Sequence, residues 1–110
     1  MMWVFTETGF VSAVVHRDDP DILIVRSRDR QSIEPLALLV DTEIVTGAGT
    51  DYPHRITCSR DQFTQWAGQN IASMSYGNFK SRVTQTRGHD FAHALMDVWS
   101  AMCQVEDVRR

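Results

Sequence analysis

Residues 10–27 read FVSAVVHRDDPDILIVRS, and this stretch decides the fold class. Phe10 to His16 is rich in Val and Phe, which suit a pleated, half-buried surface. Strand side chains alternate, so Phe10, Ser12, Val14 and His16 share one face and Val11, Ala13 and Val15 the other. Both faces are largely apolar, which predicts a central strand covered on both sides for much of its length. Arg17 to Asp21, RDDPD, is a turn: Asp side chains bond nearby amides and Pro20 presets φ. Ile22 to Ser27 is a second strand, so the pair predicts an antiparallel hairpin. Upstream, Trp3 to Thr6 is β-prone, and Thr8-Gly9 turns it toward Phe10.

Downstream, Ser32 to Val40 reads as a short helix. Ser32 is its expected N-cap, Glu34 suits the positive end of the dipole, and Pro35 is tolerable in the first turn. Glu43 to Thr46 is a brief strand and residues 47–53 (GAGTDYP) a loop. His54 to Cys58 is a strand with His54, Ile56 and Cys58 on one face. Ser59 and Gln62 form an S-x-x-Q capping box. It opens a helix with Phe63, Trp66, Ala67, Ile71 and Met74 at helical spacing. Tyr76 to Gly88 is a polar connector punctuated by aromatics. From His89 or Asp90 to Val105, the residues Phe91, Leu95, Val98, Met102 and Val105 recur at intervals of four and three. Ala92, Met96, Trp99 and Cys103 widen that stripe, and such a stripe must dock on something.

The order hairpin, helix, strand pair, helix, helix predicts an α+β fold. We expect a two-layer sandwich, an antiparallel sheet of about four strands with helices on one face. Its topology is a ferredoxin-like plait or a rearranged relative. At 110 residues the chain reads as a single domain, 1–110. Its 43% hydrophobic and 23% charged residues exclude a disordered chain. The net charge of −3 disfavours nucleic-acid binding through the charge of the whole chain. No apolar run reaches the length of a membrane span. No basic segment precedes a long apolar run near Met1, so a cytoplasmic setting is expected. Cys58 and Cys103 do not make a disulfide framework. Each falls in an apolar pattern and is read as a buried free thiol of a reducing compartment.

Four clusters are candidates for chemistry or binding. His89, His93 and Asp97 lie at i, i+4 and i+8 on one helical stripe. Two imidazoles four apart can grip one Zn²⁺. Positions eight apart lie about 12 Å from each other along a helix, too far for one ion. A site would therefore use His89 and His93 with a ligand from His16, His54 or the RDDPD turn. The plainer reading is a solvated polar face, and the Glu of H-E-x-x-H is absent. Asp18, Asp19 and Asp21 are oxygen donors, but a turn explains all three. Arg26, Arg28 and Arg30 alternate into a positive ridge, which with Phe10 or Trp3 suits single-stranded nucleic acid. The alternative pairs these arginines with carboxylates. Tyr76, Asn78, Phe79, Lys80 and Arg82 combine aromatic and basic character in a connector, which suits recognition; Tyr76 and Phe79 serve equally as plugs into the core.

No cofactor is expected. Residues 46–51 (TGAGTD) lack the Gly-Lys-Ser/Thr ending of a phosphate loop. No catalytic set emerges either, since Cys58 and His54 are about 13 Å apart along an extended strand.

Several segments carry a family resemblance. They are Trp3-Val4-Phe5-Thr6, Gly9-Phe10-Val11-Ser12, Arg17-Asp18-Asp19-Pro20-Asp21 and Val25-Arg26-Ser27-Arg28. Further along come Asp51-Tyr52-Pro53, Tyr76-Gly77-Asn78-Phe79-Lys80, and Gly88-His89 through Ala92-His93 to Val98-Trp99. On these the chain resembles a family of small uncharacterised proteins of actinobacteria and actinobacteriophages. The resemblance implies a compact cytoplasmic protein of a bacterium or phage and supplies no activity. Three functional expectations follow. The first is a non-enzymatic accessory protein that binds a host protein or itself. The second is a metal-binding domain or metal-dependent enzyme using His89 and His93. The third is a nucleic-acid-binding module using Arg26, Arg28, Arg30 and the Tyr76 to Arg82 connector.

Overall fold

The hairpin read from residues 10–27 forms. In the computed structural model, which describes residues 1–47 and 51–107, β2 (Gly9–Val15) and β3 (Ile22–Ser27) pair antiparallel with Ala13 opposite Val25. Asp19 makes the turn. Its Oδ1 accepts from the Asp21 N–H at 3.0 Å and its carbonyl from the Ile22 N–H at 3.1 Å. β1 (Met2–Thr6) joins β2 with Thr6 opposite Gly9. Residues 48–50 of the Gly-containing loop lie outside the described residues.

The chain divides into two compact units, Met1–Ser75 and Tyr76–Arg110. In the first unit, helix α1 (Arg30–Val40) follows β3, then come β4 (Val45–Thr46), β5 (His54–Ser59) and helix α2 (Arg60–Ala72). The described strands form one open antiparallel sheet in the order β1-β2-β3-β5-β4. This is an α+β fold in a rearranged order: a plait would insert a helix between its first two strands, whereas here three strands meander before the first helix.

Alternation builds the core. Val11 and Ala13 of β2, Leu23 and Val25 of β3, and Ile56 and Cys58 of β5 share one face of the sheet. Ile33, Leu36 and Ala37 of α1, with Phe63 and Trp66 of α2, close over it. The expected capping box anchors α2. Ser59 Oγ accepts from the Gln62 N–H at 3.0 Å, and Gln62 Oε1 accepts from the Ser59 N–H at 2.8 Å. These two bonds satisfy donors that a helix end otherwise leaves open.

Several local expectations are corrected. Helix α1 starts at Arg30 with Asp29 as N-cap, so Ser32 is inside the helix. Ser32 is buried, and its Oγ accepts the Phe10 N–H at 3.1 Å, a bond across 22 residues. Pro35 then stands in the second turn, where its ring leaves the Gln31 carbonyl without a helical partner. In α2 the buried face narrows to Phe63 and Trp66; Ile71 is exposed and Met74 lies beyond the last helical residue.

The second unit holds two helices, α3 (Phe79–Arg87) and α4 (His89–Met102), and a 3-10 turn over Cys103–Val105. The polar connector is thus mostly helix. Asn78 starts α3 by accepting the Ser81 N–H on its Oδ1 at 3.0 Å. Val83 is the one buried residue of α3, so the segment has no apolar period to announce it. Gly88, at φ +90°, separates the two helices in a conformation that side chains disfavour.

Candidate binding surfaces

The arginine ridge is turned onto its own protein. Tyr52, from the loop before β5, is 3% exposed. The Arg26 guanidinium stands 4.5 Å from its ring centroid and that of Arg28 4.2 Å. Both distances are within cation–π range. Arg26 also donates to Ser12 Oγ at 3.0 Å. Arg28 donates to the Asp51 carbonyl and, at 3.0 Å, to its carboxylate. The carboxylate partner is therefore Asp51 and not one of the nearby acids of the RDDPD turn. Arg30 lies apart from the ridge, as the first residue of α1.

The strand face beside the clamp is aromatic. Phe5 stacks on Phe10 at 4.6 Å, and Trp3 meets Phe10 edge-on at 5.7 Å. Arg55 lies directly opposite Arg26 across β3 and β5. Like charges so placed repel, and Tyr52 on Arg26 offsets part of that cost. Tyr52 is the residue the sequence did not reveal. Two alternating arginines with a tyrosine 24 to 26 positions away carry no local pattern.

His89 is the first residue of α4, and both His89 and His93 are exposed. His93 Nδ1 faces Asp97 at 4.0 Å on the same exposed edge. Among the described residues no group of three His, Cys, Asp or Glu side chains is placed to hold a metal ion. In the connector, the Tyr76 and Phe79 rings meet at 5.9 Å. Asn78 is occupied as a cap, Lys80 is exposed, and Arg82 reaches Gln85 at 3.4 Å.

The apolar stripe of α4 divides along its length. Ala92 is buried and Phe91, Leu95 and Met96 are half-buried. Beyond them Trp99 is 63% exposed, Met102 59% and Val105 70%, with Val98 beside them. A monomeric surface seldom leaves such side chains contiguous without use. In the first unit, an apolar groove of about 690 Å³ lies between α2 and the β1–β2–β3 end of the sheet. Met2, Val15, Phe63, Gly68 and Ile71 line it, and among the described residues Arg60 is the one charged side chain in its lining.

Both cysteines are free, but only Cys58 is buried; Cys103 is exposed just past the end of α4. The apolar pattern of α4 outruns the part that is covered, which is why the expectation for Cys103 fails. Burial raises the Cys58 thiol above its ordinary pKa of 9.0. The unfolded thiol ionises as pH passes 9.0 while the folded one holds its proton, so this group takes stability away at alkaline pH. The expected titration with a disulfide reagent at neutral pH is one fast thiol per chain, Cys103. The second should react only after denaturant is added. Two equally fast thiols would contradict the burial of Cys58.

Among the described residues no helix is long and apolar enough to cross a membrane. Comparison of the chain with protein-family models, with curated proteins and with solved structures finds no match to any of them.

Proposed function

We propose that the protein is a non-enzymatic binding module that works by protein–protein contact, with the exposed end of α4 as its contact element. The observation that carries this reading is the run Val98, Trp99, Met102 and Val105, apolar, contiguous at helical spacing and open to solvent. Trp and Met are enriched where proteins meet, and exposed Trp is a frequent anchor of binding energy. A lipid surface is a poorer fit, because helices that lie on membranes carry Lys and Arg on their polar face. The polar residues of α4 are His89, Asp90, His93, Asp97 and Ser100. Two free cysteines agree with a reducing cytoplasmic setting.

The test uses the purified chain as bait and as its own partner. Trp99→Ala with Met102→Ala removes exposed side chains only, so circular dichroism and thermal unfolding should be unchanged. Self-association and retention of any bound protein should fall at least tenfold, about 1.4 kcal/mol. Equal binding by the double variant and the wild type refutes the proposal.

A further inference from the structure

We infer that the occupant of the apolar groove in the first unit is the α4 stripe of a second copy of this chain. This rests on the reading of α4 as the contact element and names what it contacts. The two surfaces match in kind. The stripe offers Val98, Met102 and Val105 at intervals of four and three, with Trp99 beside them, the spacing with which an amphipathic helix fills a groove. The groove, about 690 Å³, falls within the volume range of known binding clefts. Its floor and walls are apolar: Met2, Val15 and Ile71 are themselves more than half exposed, so both partners now hold apolar surface in water.

Charge favours the same pairing. Among the described residues, Arg60 supplies the one charged side chain of the groove lining. Helix α4, which bears Val98, Trp99 and Met102, carries Asp90 and Asp97 and no Lys or Arg. An acidic helix is steered toward the Arg60 guanidinium at the groove. The contact is heterologous, helix of one copy to groove of the other, and a two-fold exchange that fills both grooves closes it into a dimer.

Gly68 provides a clean probe. It lies inside α2 and lines the groove, and a Cβ added there meets nothing within 4 Å. Gly68→Leu therefore adds apolar bulk to the groove lining from a Cβ that stands in open space, and it improves helix propensity. The experiment is sedimentation equilibrium on wild type, Gly68→Leu, Trp99→Ala and an equimolar mixture of the two variants. Wild type should approach twice the chain mass of 12.5 kDa as concentration rises. Each variant alone should associate at least tenfold more weakly. The mixture should recover a one-to-one complex, because one copy keeps the groove and the other keeps the helix. If Gly68→Leu dimerises like wild type while Trp99→Ala does not, the groove is not the receptor; this inference fails and α4 remains a contact element. If wild type stays monomeric up to 0.1 mM-scale concentrations (on the order of the weakest specific contacts), the inference fails as well. A monomer that binds a fluorescent fatty acid, displaced by Gly68→Leu, also overturns it, because the groove is then a small-molecule site.

Discussion

Gly9→Ala is expected to cost about 3 kcal/mol or more, the upper end of overpacking penalties. The reason is local and steric. A Cβ at Gly9 would stand 2.2 Å from Ser32 Oγ, 2.6 Å from its Cβ and 2.7 Å from its Cα. The last contact is with backbone, so no rotamer change relieves it. Gly9 also sits at φ +155°, where a side chain adds strain. The close approach exists because α1 lies directly on the β1–β2 turn, tied there by the Phe10 to Ser32 hydrogen bond. Urea unfolding followed by circular dichroism should show the midpoint fall sharply, with little change in slope. Adding Ser32→Gly removes the Oγ and Cβ contacts and should return part of the loss. Gly68→Ala is the contrasting case: it meets open space on α2 and should raise stability by about 1 kcal/mol. Equal effects at the two glycines would rule out the close packing of α1 on the turn.

Trp66→Ala is expected to cost about 3–5 kcal/mol, a large part of the 5–15 kcal/mol that holds a typical domain folded. Trp66 is 3% exposed and packs on Phe63 with ring centroids 5.4 Å apart. It is the largest side chain that α2 sends into the core, so its loss opens a cavity beneath the helix. Trp66→Phe keeps most of the volume and should cost clearly less. Fluorescence gives an independent readout. Of the three tryptophans, Trp3 and Trp99 are more than half exposed and Trp66 is the buried one. Trp66→Phe should therefore remove the blue-shifted component and leave the red-shifted emission. An unshifted spectrum would mean that Trp66 is not shielded from water.

Much of the first unit was legible because its information is local. The alternation of Val11, Ala13, Leu23, Val25, Ile56 and Cys58 needs only a period of two. The Asp19 turn and the Ser59–Gln62 box are closed by bonds between residues two or three apart. Helix α3 was not legible, since a helix with one buried side chain has no apolar stripe. Of the candidate sites, the histidine pair lies on α4 as read, but Phe79, Lys80 and Arg82 of the expected connector lie in helix α3. Their partners lie three or four positions away, whereas Tyr52, the partner of Arg26 and Arg28, was out of reach of any short-range rule.

The sequence by itself determined the α+β class, the antiparallel hairpin, the α2 cap and the amphipathic nature of α4. Each follows from side-chain period or from hydrogen bonds inside one turn. Only the tertiary structure decided that Ser32 serves β2 and not the start of its own helix. It also decided that Arg26 and Arg28 clasp Tyr52, and that the stripe of α4 is covered at Ala92 but open at Trp99 and Met102. Those outcomes join residues more than twenty positions apart, or depend on how far a neighbour extends. Steric fit and burial set them, and neither leaves a periodic mark in the chain.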